Sequence, residues 1–119
     1  MACGDDDPPT AAGLVPLTSG AALTGLSAPN YRQKFFQIAV PVGSTRLTVS
    51  TSGGTGNVDL FVQKDRLPRS GTGECESLGL DNTEVCTFEA PRPGVYYIVL
   101  FASVEYSDVT LTATVTRPG

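Results

Sequence analysis

The chain has 119 residues, 40% of them hydrophobic and 17% charged; this length suits one hydrophobic core, is too apolar for a disordered chain, and holds no run near the roughly 20 apolar residues of a membrane helix. Histidine is absent, which excludes the commonest general base, the Ser-His-Asp and Cys-His nucleophile systems and imidazole-ligated zinc. Eight basic against twelve acidic residues give a net charge of −4, but Asp5, Asp6 and Asp7 stand together near the start, so the remainder is near neutral and lacks the basic footprint of a nucleic-acid binder.

Residues 1–13 carry Cys3, the three aspartates and Pro8-Pro9 without apolar periodicity, and are expected to be a disordered tail or tether. From Leu14 to the end at residue 119, short apolar runs broken by Gly, Pro, Ser and Asn follow the rhythm of strands and turns, and no amphipathic helix is in view. Phe36, Ile38 and Val40 alternate with Gln37 and Ala39, then stop at Pro41-Val42-Gly43. Leu47 and Val49 alternate with Thr48 and Ser50 before Gly53-Gly54-Thr55-Gly56-Asn57, where positive φ is cheap and a turn is expected. Asp59 to Gln63 resumes as a strand with Leu60 and Val62 on one side, and Pro68 to Gly73 ends it. Glu84 to Glu89 is a short strand. Val95 to Ala102 is the longest apolar run, its β-branched and aromatic content favouring a central strand. Finally Val109, Leu111, Ala113 and Val115 alternate with threonines. About seven to eight strands with no crossover helix predict an all-β fold, an antiparallel two-sheet sandwich joined in Greek-key or jelly-roll fashion.

Several of these segments carry a family likeness. Phe35-Phe36-Gln37-Ile38-Ala39-Val40-Pro41-Val42-Gly43, then Leu47-Thr48-Val49, then Gly53 to Val62 resemble the bacterial pre-peptidase C-terminal domain. Cys75, Asn82-Thr83-Glu84-Val85-Cys86, Pro93-Gly94-Val95-Tyr96-Tyr97-Ile98 and Tyr106 to Leu111 continue the resemblance in the family's order, from about Leu17 to Val115. It implies a small β-sandwich appended to secreted peptidases and other exported enzymes, often trimmed off during maturation, with related domains of bacterial collagenases binding collagen. No peptidase precedes the sandwich within these residues, so a free-standing or surface-tethered version is expected.

Cys75 and Cys86 lie eleven positions apart across a Gly/Asn/Asp-rich loop. A disulfide is the expected state and implies an oxidising compartment and export; a metal pair or two free thiols are the alternatives, with neither CxxC spacing nor histidine to favour metal. Ala2-Cys3-Gly4 before the acidic stretch is similar to the start of a mature bacterial lipoprotein, with Cys3 as the lipidated residue, although no apolar signal segment stands before Ala2; the alternative is an incidental cysteine in a disordered end.

Ser44, Ser50, Ser52 and Ser70 have no base to activate them beyond carboxylates and lysines, and Asp59, Asp65, Asp81, Glu84 and Glu105 are spread through turns rather than paired across a cleft. No catalytic role is expected. Asn57, Asp59, Asp81, Asn82 and Glu84 are candidate ligands of a structural calcium, the one cofactor considered, against the alternative that Asx residues in turns satisfy their own backbone. Asp59 is expected to cap the Gly-rich turn by accepting backbone N–H bonds. In Val95 to Ala102, Tyr96, Ile98 and Leu100 match the family's core parity. That leaves Tyr97, Val99 and Phe101 on the opposite face, where with Phe61 and Tyr106 they are candidates for an exposed apolar patch that meets a partner. The alternative is a central strand buried on both faces.

Together these observations predict a non-catalytic exported β-sandwich on the outer surface or secreted, tethered through a lipid on Cys3, that binds an extracellular protein or polysaccharide or assists a secreted enzyme. The competing expectation is a structural protein that self-assembles through its edge strands and apolar face.

Overall fold

Where apolar and polar residues alternate, one side of each strand must leave water, and the computed structural model, which describes residues 14–66, 74–79 and 82–117, shows which side. Eight strands form: β1 (Leu14–Pro16), β2 (Leu23–Ala28), β3 (Gln33–Val40), β4 (Arg46–Ser52), β5 (Thr55–Lys64), β6 (Cys75–Ser77), β7 (Glu84–Glu89) and β8 (Gly94–Thr116). No helix occurs among the described residues. Phe36, Ile38 and Val40 of β3, Leu47 and Val49 of β4, and Leu60 and Val62 of β5 are all buried, as their alternation predicts. The expected tail over residues 1–13 and the break at Pro68 to Gly73 lie outside the described residues.

The longest strand organises the rest. The first part of β8 pairs with β3 on one side and β5 on the other, placing Ile98 opposite both Phe36 and Val62. The last part pairs with β4 and β2, placing Ala113 opposite Val49 and Val109 opposite Leu26. Two ladders result, β1–β3–β8–β5–β6 and β2–β8–β4–β7, connected through β8 into one eight-stranded sheet folded over as a β-sandwich. The core fills the space between them with Val58, Leu60, Tyr96, Ile98 and Leu100 from one layer and Leu47, Val49, Val109 and Leu111 from the other.

Two details differ from the sequence expectation. Val95–Ala102 and Val109–Thr116, read as separate strands, are one strand. Straight, its 23 residues would reach roughly 75 Å at a strand's rise, yet the molecule's longest dimension is 41 Å. The strand therefore bends, and the register shifts opposite Ser107, Val104 and Ala102, together with the positive φ of 60° at Asp108, locate the bend. Gly54 and Gly56 press against this bend so closely that a Cβ on either would overlap the carbonyl oxygen of Ser107 or Glu105. The Gly-rich stretch is thus a contact surface as well as a turn, and β5 already begins at Thr55. The other difference is that β1 runs parallel to β3, Leu14 beside Phe35 and Pro16 beside Gln37, so the expected all-antiparallel pairing fails at this edge. The chain crosses to the other layer as β2 between them, which is the crossover a parallel pair needs.

Cys75 and Cys86 form a disulfide, with 5.8 Å between their Cα atoms. It joins β6, the edge of one layer, to β7, the edge of the other, and so closes that side of the sandwich.

Candidate functional site

The layer β1–β3–β8–β5–β6 turns its odd-numbered central residues away from the core. Register places them in three rows: Gln37, Tyr97 and Gln63; Phe35, Val99 and Phe61; Gln33, Phe101 and Asp59. Tyr31, in the turn before β3, stands just past the last row. Its φ of 68° and the bond its N–H donates to the Ala102 carbonyl, 2.7 Å, hold it there. Its ring is 71% exposed and lies 6.3 Å from that of Phe101, tilted by 32°.

Tyr97 and Phe101 are partly exposed on this face, where the sequence places them. Three other candidates for the patch are not available to a partner. Phe61 and Val99 are 5% and 3% exposed because they occupy the middle row, flanked by side chains of neighbouring strands and adjacent rows. Tyr106 is fully buried: it enters the core at the bend of β8, where outward and inward parity shift. Burial pushes its phenol up to about 12, and its hydroxyl has no hydrogen-bond partner among the described residues. Sequence reasoning missed Tyr31, Phe35, Gln33 and Gln37. Each glutamine looks like ordinary polar alternation, and only long-range register shows that Gln37 and Gln63 bracket Tyr97. Among the described residues, no partner is found for the Gln33, Gln37 or Gln63 amides.

Two of the calcium candidates, Asn82 and Glu84, lie at a second place. Asn82 is buried, and its Oδ1 accepts the Val58 N–H at 2.8 Å while its Nδ2 donates to the carbonyls of Gly53 and Thr55 at 2.9 and 3.0 Å. Thr51 Oγ1 donates to the Asn82 carbonyl at 2.8 Å. Glu84, also buried, accepts from Ser77 Oγ and from the Gly79 N–H, the latter at 3.0 and 2.9 Å to its two oxygens. These bonds tie the loop before β7 to the β4–β5 turn and to the chain after β6. The oxygens offered to calcium by Asn82 and Glu84 are thus already used within the fold. Asp59 lies close enough to feel Glu84: burial first, and that neighbouring carboxylate second, raise its carboxyl above the usual range. Asn57 Oδ1 is buried without a partner among the described residues, and Asp81 and Cys3 lie outside them. No group of three His, Cys, Asp or Glu close enough to hold a metal occurs among the described residues. Nor does Asp59 cap the Gly-rich turn; Asn82 fills that role, because its amide meets both donors and acceptors there.

Comparison with known proteins places this geometry. A family model described as the bacterial pre-peptidase C-terminal domain matches residues 33–102. Alkaline serine exoprotease A of Vibrio alginolyticus is 33% identical over 112 residues, covering 93% of this chain and 20% of that protein. A zinc metalloprotease of Helicobacter pylori is 35% identical over 109 residues, 92% of this chain and 41% of its own length. An extracellular protease of Xanthomonas campestris pv. campestris is 42% identical over 97 residues, 82% of this chain and 17% of that protein. The chain thus spans less than half of each of these relatives. Among solved structures, the solution structure of vEP C-ter 100 superposes with a TM-score of 0.66 at 26% identity, covering 82% of this chain and 96% of that one. The pre-peptidase C-terminal domain of a Bacillus anthracis collagenase shares the fold at a TM-score of 0.63 and 9% identity, over 85% of this chain and 94% of that one.

Proposed function

The chain belongs to the bacterial pre-peptidase C-terminal domain family, and from that premise we propose that it is a non-catalytic accessory module of an exported protein, holding it against an extracellular protein or polysaccharide. The observation that carries this reading is the outer face of the layer containing β3, β8 and β5, where Tyr97, Phe101 and Tyr31 offer ring surface beside amides that have no partner among the described residues. Rings supply contact area on binding, at about 25 cal/mol per Å² removed from water, and the amides fix orientation. A chain without histidine is poorly equipped for acid–base chemistry near neutral pH, which favours recognition over turnover. Export is supported by the disulfide and by relatives such as the extracellular protease. Attachment through a lipid on Cys3 is part of the proposal, and mass spectrometry of the protein isolated from its native membrane fraction tests it: an unmodified Cys3 thiol removes the tether.

The test of binding compares the wild type with Tyr97→Ala and Phe101→Ala on immobilised cellulose, chitin, gelatin and collagen, with circular dichroism to verify the fold. Truncating a ring that anchors the contact is expected to cost about 2 kcal/mol, roughly thirtyfold in affinity. Binding that is equal in wild type and both variants moves the site off this face.

A further inference from the structure

We propose that the ligand of this face is an uncharged polysaccharide, an inference that rests on the binding-module reading above. Charge complementarity is the first argument. With Tyr31 and with Glu76 opposite Phe61, the rows present three amides, two phenols and two carboxylates, and none of these positions is a Lys or Arg. An anionic glycan or acidic peptide meets no counter-charge there. A cationic partner meets Asp59 and, opposite Phe61 at the β6 edge, Glu76, both outside the row of Tyr97.

The arrangement within the rows is the second argument. Tyr97 stands between Gln37 and Gln63, and Phe101 between Gln33 and Asp59. A pyranose has an apolar face of C–H bonds and a rim of hydroxyls. A ring beneath the face with an amide on either side matches that pattern, since each amide both donates and accepts. Polypeptide recognition asks for other geometry: strand addition needs a free edge, whereas β3, β8 and β5 are each paired on both sides.

Length is the third. Tyr97 and Phe101 are four residues apart on one strand, roughly 13 Å, and the ring of Tyr31 lies 6.3 Å from that of Phe101. The rings together match a chain of several sugars, so affinity is expected to climb with oligosaccharide length and to be negligible for monosaccharides.

Affinity electrophoresis of the whole chain in gels holding hydroxyethylcellulose, xylan, galactomannan, β-1,3-glucan or, as the charged control, polygalacturonate tests this, with gelatin and a proline-rich peptide in parallel. Retardation by at least one uncharged polymer is expected to persist in molar salt. Gln37→Ala and Gln63→Ala, substitutions at partly exposed positions, are expected to weaken it about tenfold each while circular dichroism stays unchanged. Retardation by polygalacturonate alone overturns the proposal. So does Tyr97-dependent binding to gelatin or the peptide without binding to any uncharged polymer, an outcome that leaves the binding-module reading standing. If no polymer or protein is bound, both fall.

Discussion

Asn82→Ala removes the side chain that ties three stretches of backbone together. Val58 is fully buried, so its N–H, which now donates to Asn82 Oδ1, is left without a partner or water, a loss of about 1–3 kcal/mol. The Gly53 and Thr55 carbonyls belong to exposed residues and can turn to solvent, so losing their bonds adds about 1 kcal/mol in all. The sum, about 2–4 kcal/mol, corresponds to a fall of roughly 10–20 °C in the melting temperature of a domain this size. Asn82→Asp isolates the cause. It keeps an acceptor for Val58 but turns a second oxygen toward two carbonyl oxygens, so the folded state raises that carboxyl's pKa. A raised folded pKa means that stability is fully present below the ordinary aspartate value near about 3.9 and is lost as pH rises through the folded value. The aspartate variant is therefore expected to be badly destabilised near neutral pH and to approach the wild type in acid, whereas the alanine deficit does not depend on pH in this way. Urea unfolding followed by circular dichroism at neutral and acid pH reads both. An alanine variant within about 0.5 kcal/mol of wild type, or an aspartate variant with the same deficit at both pH values, refutes the reasoning.

Further outcomes follow from the same structure. Gly56→Ala is expected to lose more than about 2 kcal/mol, since φ is +92° and the new Cβ overlaps the Glu105 carbonyl; Gly43→Ala, at φ +87° but facing open space, loses only the roughly 1–2 kcal/mol of a left-handed alanine. Equal melting temperatures for the two variants refute the close-approach argument. Reduction of the Cys75–Cys86 bond, eleven residues apart, is expected to cost about 3 kcal/mol by loop closure, read as a lower urea midpoint with dithiothreitol. Asp59→Asn is expected to stabilise: the folded carboxyl is raised by burial and by Glu84, so wild-type stability is highest below the ordinary aspartate value and falls as pH rises through the raised one. Being partly exposed, the site gives a gain below about 1 kcal/mol near neutral pH, and a gain that persists in acid contradicts the cause.

Strands with one polar side were legible from the sequence. Phe36, Ile38 and Val40 announce their buried face because Gln37 and Ala39 do not compete for it, and Leu47 with Val49 does the same. The first part of β8 is apolar on both sides, so alternation left two readings of Tyr97, Val99 and Phe101. The structure divides them, with Val99 covered and its two neighbours partly open. β1 and β6, three residues each, are too short for periodicity to register. Ser103 to Asp108 reads as a polar break, and only pairing with β5 shows that the strand runs through it. The binding face was half visible for a related reason: aromatic content can be read locally, but which amides stand beside which rings depends on residues 34 to 68 positions apart in the chain. Asn82 was seen as a metal candidate because an oxygen-bearing side chain in a loop looks the same whether it serves a cation or a backbone.

The sharing of β8 between layers has a consequence for biosynthesis. Four strands take their partner from this one, and it is the last of the eight to leave the ribosome. Before then, β1–β3, β4–β7 and β5–β6 can form as isolated pairs, none broad enough to be durable in water. The nascent polypeptide therefore stays open during vectorial synthesis, in the threadable state a translocation pore requires, and commits to its shape only once the final segment arrives.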